Sequence, residues 1–398
     1  MLKALRLRLI LLAFAACATG AFAAGTARYT DSGPEPLLAN VFQQIEANKW
    51  EAALRQTDDL LKAYPNFRLA HLIKGDLLLA RSKQLKTFGE GAMGGQQQDK
   101  VADLREEALA RLKAYKTKPA ADYVPRYLLQ MQADQKYAIV VDTRKARLYV
   151  YQNDKGTPRF VADYYISHGK LGDEKLKEGD KKTPIGVYHV TSSLPRKKLT
   201  DFYGSGAFPI NYPNEWDKRQ GRNGHGIWLH GTPSDTFSRP PKSSDGCVVL
   251  ANQDLDALSK NLQIGLTPVI ISNSIEWLSL DDWQAERQSL LSMIDEWRRD
   301  WESRDTDRYA RHYSNKFQAD SQGLQAWIEQ KRKVNAAKSW IKVGTGDISM
   351  FRNPGKEEYV VVTFDQDYKS SNLSNAMKKR QYWIKEDGRW KIIHEGAA

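Results

Sequence analysis

Two short stretches decide how this chain folds: Gly226-Ile-Trp-Leu-His-Gly231 and, after an intervening loop, Ser244-Asp-Gly-Cys-Val-Val-Leu250. The first is an apolar run that favours a β-strand and ends at His230. The second places Cys247 directly after a glycine and before another apolar run. Two such strands at one edge of a sheet bring an imidazole and a thiol together. The pattern predicts a cysteine nucleophile with a histidine as its proton-transfer partner.

Cysteine attacks as a thiolate, and a nearby imidazolium favours that form by charge pairing. The same histidine then protonates a departing amine. Gly246 lets a substrate approach the backbone closely, and amides near Cys247 are candidate oxyanion donors. The alternative is a structural histidine beside a small buried cysteine. The glycine placement and the order of the motifs argue against that alternative.

The sequence around these stretches is mainly β. Short apolar runs rich in β-branched and aromatic residues recur between polar turns at 138–142, 146–151, 161–167, 186–192, 226–230 and 267–272. This middle region resembles the L,D-transpeptidase catalytic (YkuD) family over residues 136–272. The resemblance rests on His230-Gly, on Cys247 seventeen positions later, and on Lys182-Thr-Pro-Ile-Gly186.

The resemblance implies a role for each matching residue. Cys247 would attack a carbonyl of a peptidoglycan stem peptide, and His230 would exchange protons. The Gly231 carbonyl would hold the other imidazole nitrogen, and Ser244 and Gly246 would shape the oxyanion side.

Two positions depart from the family pattern. Asp245 replaces the usual second histidine before the nucleophile, and Val249 stands where many members carry arginine or asparagine. Asp245 is a candidate residue of the substrate and oxyanion side that influences the thiolate, with a capping or turn role as the alternative. These departures put the preference for substrate and acceptor in doubt. His225 is a candidate second imidazole or a residue of the rim. Arg222 is a candidate partner for substrate carboxylates, with a solvated basic loop as the alternative.

The chain begins like a secretory signal peptide at residues 1–23. Basic residues precede an apolar run at 9–16 that is too short to span a bilayer, and Ala21-Phe-Ala23 suits cleavage. A lipid anchor at Cys17 is not expected, because the residue three positions upstream is aromatic rather than aliphatic. Cleavage after residue 23 leaves Cys247 as the single cysteine of a periplasmic protein.

The remaining sequence predicts two more domains. Residues 35–130 show apolar residues at helical spacing and are assigned to a helical domain. Residues 281–398 read as helices followed by strands, with an Asp387-Gly388 hairpin, and resemble the nuclear-transport-factor-like (NTF2-like) α+β cone. This last domain is rich in aromatic residues: Trp297, Trp301, Tyr313, Trp327, Tyr359, Trp383 and Trp390. They predict a pocket for wall glycan or stem peptide, with packing inside the domain or at a dimer contact as the alternative.

The order of helical, transpeptidase-like and NTF2-like domains also resembles the LD-carboxypeptidases that set cell shape in helical bacteria. The predicted activity is cysteine acyl transfer on tetrapeptide stems with release of terminal D-alanine. Trimming of tetrapeptide to tripeptide is the first alternative, and a non-catalytic wall-binding module is the second. The sequence leaves open whether the protein is a monomer or a homodimer.

Charge and composition do not choose between these activities. Loss of the signal peptide lowers the net charge from +12 to +9, which suits acidic polymers and also an ordinary soluble surface. Export argues against nucleic acid as a partner. No paired histidines or second mature cysteine stand at ligand spacing, and no glycine-rich phosphate loop follows a strand, so neither a metal nor a cofactor is predicted.

Overall fold

The computed structural model describes residues 33–92, 98–319 and 322–398. The predicted signal peptide and Cys17 lie outside these residues. Within the described ranges, no helix combines the length and the apolar content needed to cross a membrane.

The N-terminal domain is built from helices whose apolar stripes face one another. Leu38 and Val41 of the first helix are buried against Leu60 of the second and Ile73 of the third. The second helix ends before Pro65, because proline cannot continue a helix. The helices are α1 (Glu35–Glu46), α2 (Trp50–Ala63), α3 (Arg68–Leu79) and α4 (Gln98–Lys116).

The middle domain is β-rich and has two main sheets, ordered β5-β4-β3-β13-β7 and β12-β10-β9-β8. Two short strands precede it: β1 (Tyr123–Pro125) and β2 (Leu128–Gln130). Its elements are β3 (Tyr137–Asp142), β4 (Arg147–Asp154), β5 (Thr157–Tyr165), β6 (His168–Gly169), β7 (Gly186–His189), β8 (Leu194–Pro195), β9 (Gly206–Pro209), α5 (Glu215–Arg219), β10 (Trp228–His230), β11 (Lys242–Ser244), β12 (Val248–Val249), α6 (Asn252–Ser259), β13 (Pro268–Ser272) and β14 (Trp277–Ser279).

Strand β3 explains why the first β run of the sequence is apolar without alternation. Ile139 and Val141 point into the core between the two sheets. Ala138 and Val140 point to the opposite face, where they join a second core that includes Phe351 of the C-terminal domain. A strand buried on both faces needs apolar residues at every position.

The C-terminal domain wraps a long antiparallel sheet around helix α7. Trp297 and Trp301 of α7 pack with Trp383 of the sheet in one buried cluster. The hairpin predicted at Asp387-Gly388 is present, with φ of 50° and 76° at these two residues, as a tight two-residue turn requires. The elements are α7 (Leu280–Glu302), α8 (Thr306–Ala310), β15 (Gln318–Ala319), β16 (Gln322–Gly323), α9 (Leu324–Ala336), β17 (Ile341–Arg352), β18 (Tyr359–Ser370), β19 (Leu373–Glu386) and β20 (Arg389–Ala397).

The segments that flank the middle domain are paired strands rather than free connections. Strand β1 pairs with β14, and β2 becomes an edge strand of the C-terminal sheet by pairing with β17. The indole nitrogen of Trp283 donates a hydrogen bond to the Leu128 carbonyl at 2.8 Å. The sequence analysis missed these strands because three-residue strands are too short to show a periodic pattern.

An aromatic cluster joins the middle and C-terminal domains. The ring of Trp216 lies 4.4 Å from that of Tyr359 and 5.7 Å from that of Tyr382, measured between centroids. Its indole nitrogen also donates to a Glu357 carboxylate oxygen at 2.7 Å. Buried aromatic contacts of this size hold two domains in a fixed arrangement.

We expect Trp216→Ala to lower the free energy of unfolding by about 3–5 kcal/mol, the usual cost of removing a buried tryptophan. Trp216 is 3% exposed, whereas Trp340 is 46% exposed and makes Trp340→Ala a matched control. Urea unfolding of both variants measures the difference. Equal stability of the two variants would contradict a supporting role for the cluster.

Candidate active site

The histidine ends one of two adjacent parallel strands, and the cysteine directly precedes the other. Strand β10 pairs with β12 so that Leu229 is opposite Val248 and His230 is opposite Val249. Leu229 and Val248 are buried in the core between the sheets. Alternate residues of a strand point to opposite faces, so His230 and Cys247 are presented on the other face. The structure thus brings the two residues to one side of the sheet.

The turn before the nucleophile requires glycine. Gly246 has a φ of 130°, and a Cβ there would stand 2.7 Å from the Lys182 carbonyl oxygen. The hydroxyl of Thr183 donates to the Gly246 carbonyl and accepts from the Gly169 amide, both at 2.9 Å. The Lys182-Thr-Pro-Ile-Gly186 segment therefore supports the turn that carries the thiol.

Ser244 holds the same turn from within. Its buried hydroxyl donates to the Cys247 carbonyl at 2.6 Å and accepts from the Gly246 amide at 3.1 Å. The Gly246 amide is thus engaged in the turn and is not free to bind a substrate oxygen. Ser244 and Gly246 therefore position Cys247 through the backbone of the turn.

Cys247 is partly accessible and its thiol donates to the Gly226 carbonyl at 3.3 Å. Burial raises the pKa of Cys247 to about 11, and this effect exceeds the lowering by a backbone hydrogen bond from Trp228. The charge of Asp245 raises the pKa of the thiol further. The free protein therefore carries a neutral thiol at neutral pH.

His230 is 1% exposed, and its Nδ1 lies 2.7 Å from the Gly231 carbonyl oxygen. Because a carbonyl only accepts, Nδ1 must carry the proton, and Nε2 is the nitrogen free to take one. Burial lowers the pKa of His230 to about 4, against a smaller raising effect of the Gly231 hydrogen bond. Burial thus favours a neutral thiol and a neutral imidazole in the free protein, rather than the thiolate–imidazolium pair that the sequence suggested.

Aromatic side chains form a wall beside this pair. The ring of Tyr203 lies 5.1 Å from that of His230 and 4.9 Å from that of Trp228, and the ring of Phe202 lies 5.9 Å from His230. Phe202 is 49% exposed. Phe202 and Tyr203 were not predicted, although two adjacent aromatic residues inside a basic, glycine-containing loop are a signal in the sequence.

Three other candidates lie in different settings. Asp245 is exposed and pairs with Lys170 at 3.1 Å. His225 is 79% exposed, with Glu178 as its nearest charged partner at 3.5 Å. Arg222 donates to Asp217 at 3.0 Å and reaches a Glu357 oxygen of the C-terminal domain at 3.4 Å. Asp245 thus stays beside the nucleophile, His225 is a rim residue, and Arg222 belongs to an interdomain contact.

We expect Cys247 to react with iodoacetamide slowly at pH 7 and about tenfold faster with each pH unit up to pH 10, because only the thiolate reacts. The raised pKa keeps the thiol protonated over this range. Intact-protein mass spectrometry gives the rates, with free cysteine as the reference thiol and Cys247→Ala as the unlabelled control. A rate that levels off near neutral pH would contradict the neutral resting state.

Comparison with known families identifies two domains in the chain. The L,D-transpeptidase catalytic domain (YkuD) matches residues 136–271, and the Cds6 C-terminal NTF2-like domain matches residues 289–396. The chain therefore carries N-terminal helices, a β-rich YkuD domain and an NTF2-like α+β domain, as the sequence analysis predicted. No curated protein matches the sequence significantly.

Solved structures are similar to about 70% of this chain. The structure of Bdellovibrio bacteriovorus Bd1075 has 29% sequence identity and a TM-score of 0.63, covering 70% of this chain and 98% of that one. The helical cell shape determining protein Pgp2 from Campylobacter jejuni has 27% identity and a TM-score of 0.58, covering 68% and 95%. A mutant of Pgp2 has 25% sequence identity and a TM-score of 0.59, covering 74% of this chain and 99% of that one.

Proposed function

We propose that this chain, which carries an L,D-transpeptidase catalytic domain and a Cds6-type NTF2-like domain, is a periplasmic cysteine acyltransferase of peptidoglycan tetrapeptide stems. The observation that carries the proposal is that His230 ends β10 and Cys247 directly precedes β12, the parallel strand paired with β10. The domain family supplies the substrate class, which is the stem peptide of peptidoglycan. The predicted signal peptide supports export to the periplasm.

The first half-reaction breaks the amide bond before the terminal D-alanine. Nε2 of His230 takes the thiol proton as Sγ of Cys247 attacks the carbonyl carbon, and a tetrahedral intermediate forms. The imidazolium then gives its proton to the departing amine, so D-alanine leaves and a thioester remains. His230 can accept the proton because burial keeps its imidazole neutral in the free protein.

The second half-reaction decides the product. An amine of a second stem gives a cross-link and restores the thiol, whereas water gives a tripeptide. Transpeptidation is the first proposal. LD-carboxypeptidase activity is the second, favoured by the similarity to Pgp2, whose name describes it as a determinant of helical cell shape. The third, a wall-binding module without catalysis, is disfavoured by the intact cysteine and histidine.

Mass spectrometry of purified tetrapeptide stems after incubation with residues 24–398 tests the proposal. Cross-linked dimers indicate transfer, and tripeptides indicate hydrolysis. Release of D-alanine accompanies both products. Unchanged stems together with binding to sacculi would contradict the proposed reaction and support the wall-binding module.

The C-terminal domain contains a cavity of about 330 Å³ between α9 and the sheet. Trp301 and Trp327 line it, and Nζ of Lys331 lies 4.2 Å from the centre of the Trp327 ring. A buried ion pair between Lys379 and Glu395, 3.1 Å apart, closes one side. Of the seven aromatic residues noted in the sequence, two therefore line a cavity. Aromatic faces beside charged groups suit a sugar or a peptide, so we propose this cavity as the site for wall glycan or stem peptide.

We expect Trp327→Ala with Lys331→Ala to weaken pull-down on purified sacculi and to leave turnover of short soluble stems within about threefold, because a tethered second site raises only the local substrate concentration. Trp340→Ala with Lys333→Ala is the matched control, since both side chains are exposed outside the cavity. Pull-down and peptide turnover are measured on the same preparations. Unchanged pull-down would remove the cavity as a wall-binding site.

A further inference from the structure

The loop between the histidine strand and the nucleophile turn is fixed by the helical domain. This loop, residues 233–241, is called the strap. The ring of Phe237 lies 4.8 Å from that of Tyr64 and 4.9 Å from that of Phe67. The amide of Phe237 donates to the Asn66 carbonyl at 3.3 Å. Tyr64, Asn66 and Phe67 lie in and beside the turn between helices α2 and α3, so this turn contacts the strap directly.

The next two residues of the strap are held as well. The hydroxyl of Ser238 donates to a buried Glu107 carboxylate oxygen of α4 at 2.6 Å. The carbonyl of Arg239 accepts from the Tyr165 hydroxyl and from the Ser167 hydroxyl, each at 2.9 Å. Two hydroxyls of the middle domain therefore hold the backbone of Arg239, and the helical domain holds the residue before it.

The Arg239 side chain lies over the aromatic wall of the site. Its guanidinium carbon stands 4.6 Å from the centre of the Phe202 ring, and that ring lies 5.9 Å from the ring of His230. The guanidinium is half-buried, and no carboxylate lies within 4.0 Å of it in the part of the chain that the structure describes. By contrast, the buried Arg111 and Arg147 both pair with Glu35.

The positive charge reaches both catalytic groups. Burial has the largest effect on the pKa of Cys247, which it raises, and on the pKa of His230, which it lowers. Arg239 adds a smaller lowering of both pKa values. Burial also lowers the pKa of Arg239 itself, against the attraction of Cys247 and Asp245. A half-buried cation without a counter-ion is costly, and a bound anion removes that cost.

We propose that Arg239 binds the terminal carboxylate of the donor stem peptide beside Cys247, and that the helical domain holds the strap in place for this contact. The proposal rests on the proposed function, because it takes its anion from the stem peptide. A planar guanidinium donates two parallel hydrogen bonds to a carboxylate, which fixes the direction of the peptide as well as its affinity. The scissile carbonyl is then placed at the thiol.

The test compares two peptides, a tetrapeptide stem with a free terminal carboxylate and the same stem with a terminal amide. We expect Arg239→Gln to lower kcat/KM for the acid by about 10- to 100-fold, mainly through KM, as for loss of a charged hydrogen bond. For the amide the change stays within about threefold. Arg239→Lys retains part of the preference for the acid. Arg159→Gln, at an exposed arginine of β5, is the matched control.

Equal losses on the two peptides would overturn carboxylate recognition, as would no loss on either. Binding to Cys247→Ala, measured by calorimetry, separates this inference from the proposed reaction. If the wild type releases neither D-alanine from the acid nor D-alaninamide from the amide, the proposed function fails. A preference of Cys247→Ala for the acid that disappears with Arg239→Gln still supports the role of Arg239. An equal affinity for acid and amide, or no binding of either, overturns it.

Discussion

Cys247→Ala is expected to abolish the release of D-alanine from tetrapeptide stems while leaving the fold intact. The change removes one thiol, which donates a single hydrogen bond to the Gly226 carbonyl and belongs to no disulfide. Without Sγ no thioester forms, so both transfer and hydrolysis stop. Chromatography of released D-alanine measures the loss, and circular dichroism with thermal unfolding checks the fold.

Binding to sacculi provides the control for this variant. The C-terminal cavity lies in another domain, so Cys247→Ala should pull down with sacculi as well as the wild type does. Turnover retained by folded Cys247→Ala would exclude the cysteine mechanism. A protein that binds sacculi and never releases D-alanine, even as wild type, would instead point to the wall-binding module.

His230→Ala is expected to slow acylation of Cys247 by about 100- to 10,000-fold, the range for loss of a general acid–base group. The thiol depends on a base, because burial holds its pKa at about 11 and leaves almost no thiolate at neutral pH. Single-turnover formation of the thioester, followed by intact-protein mass spectrometry, gives the rate directly.

Two histidine variants make the result specific. His71→Ala changes an exposed histidine of the helical domain and should leave the rate unchanged. His225→Ala tests the other imidazole, which is exposed at the rim near Glu178. An unchanged rate in His230→Ala together with a slow rate in His225→Ala would move the proton-transfer role to His225.

The pair of catalytic candidates was predictable because each lies in a short local motif. His230 ends an apolar strand before Gly231, and Cys247 follows Gly246, whose φ of 130° only glycine adopts readily. A local backbone requirement, such as a positive φ, can be recognised in the sequence because it restricts the residue type. The aromatic wall and Arg239 were not predicted, because Phe202 and Arg239 approach His230 from two loops that carry no shared motif.

The protonation states of Cys247 and His230 could not be predicted from the sequence either. A cysteine and a histidine close together suggested a thiolate–imidazolium pair, yet burial raises the pKa of Cys247 and lowers the pKa of His230. Burial is a property of the packed domain, and a motif does not encode it. The same reason applies to Arg222, whose acidic partners include Glu357 of a domain far along the chain.

The sequence by itself determined the three kinds of domain and their order, because helical and strand periods, the Asp387-Gly388 hairpin and the Cys247 motif are all local patterns. Only the tertiary structure decided how the domains support one another. Strand β2, Leu128–Gln130, completes the C-terminal sheet, and Phe237 docks into the helical domain. These contacts join residues far apart in the chain, and their energy comes from burial and pairing that exist only once the partner surface has formed.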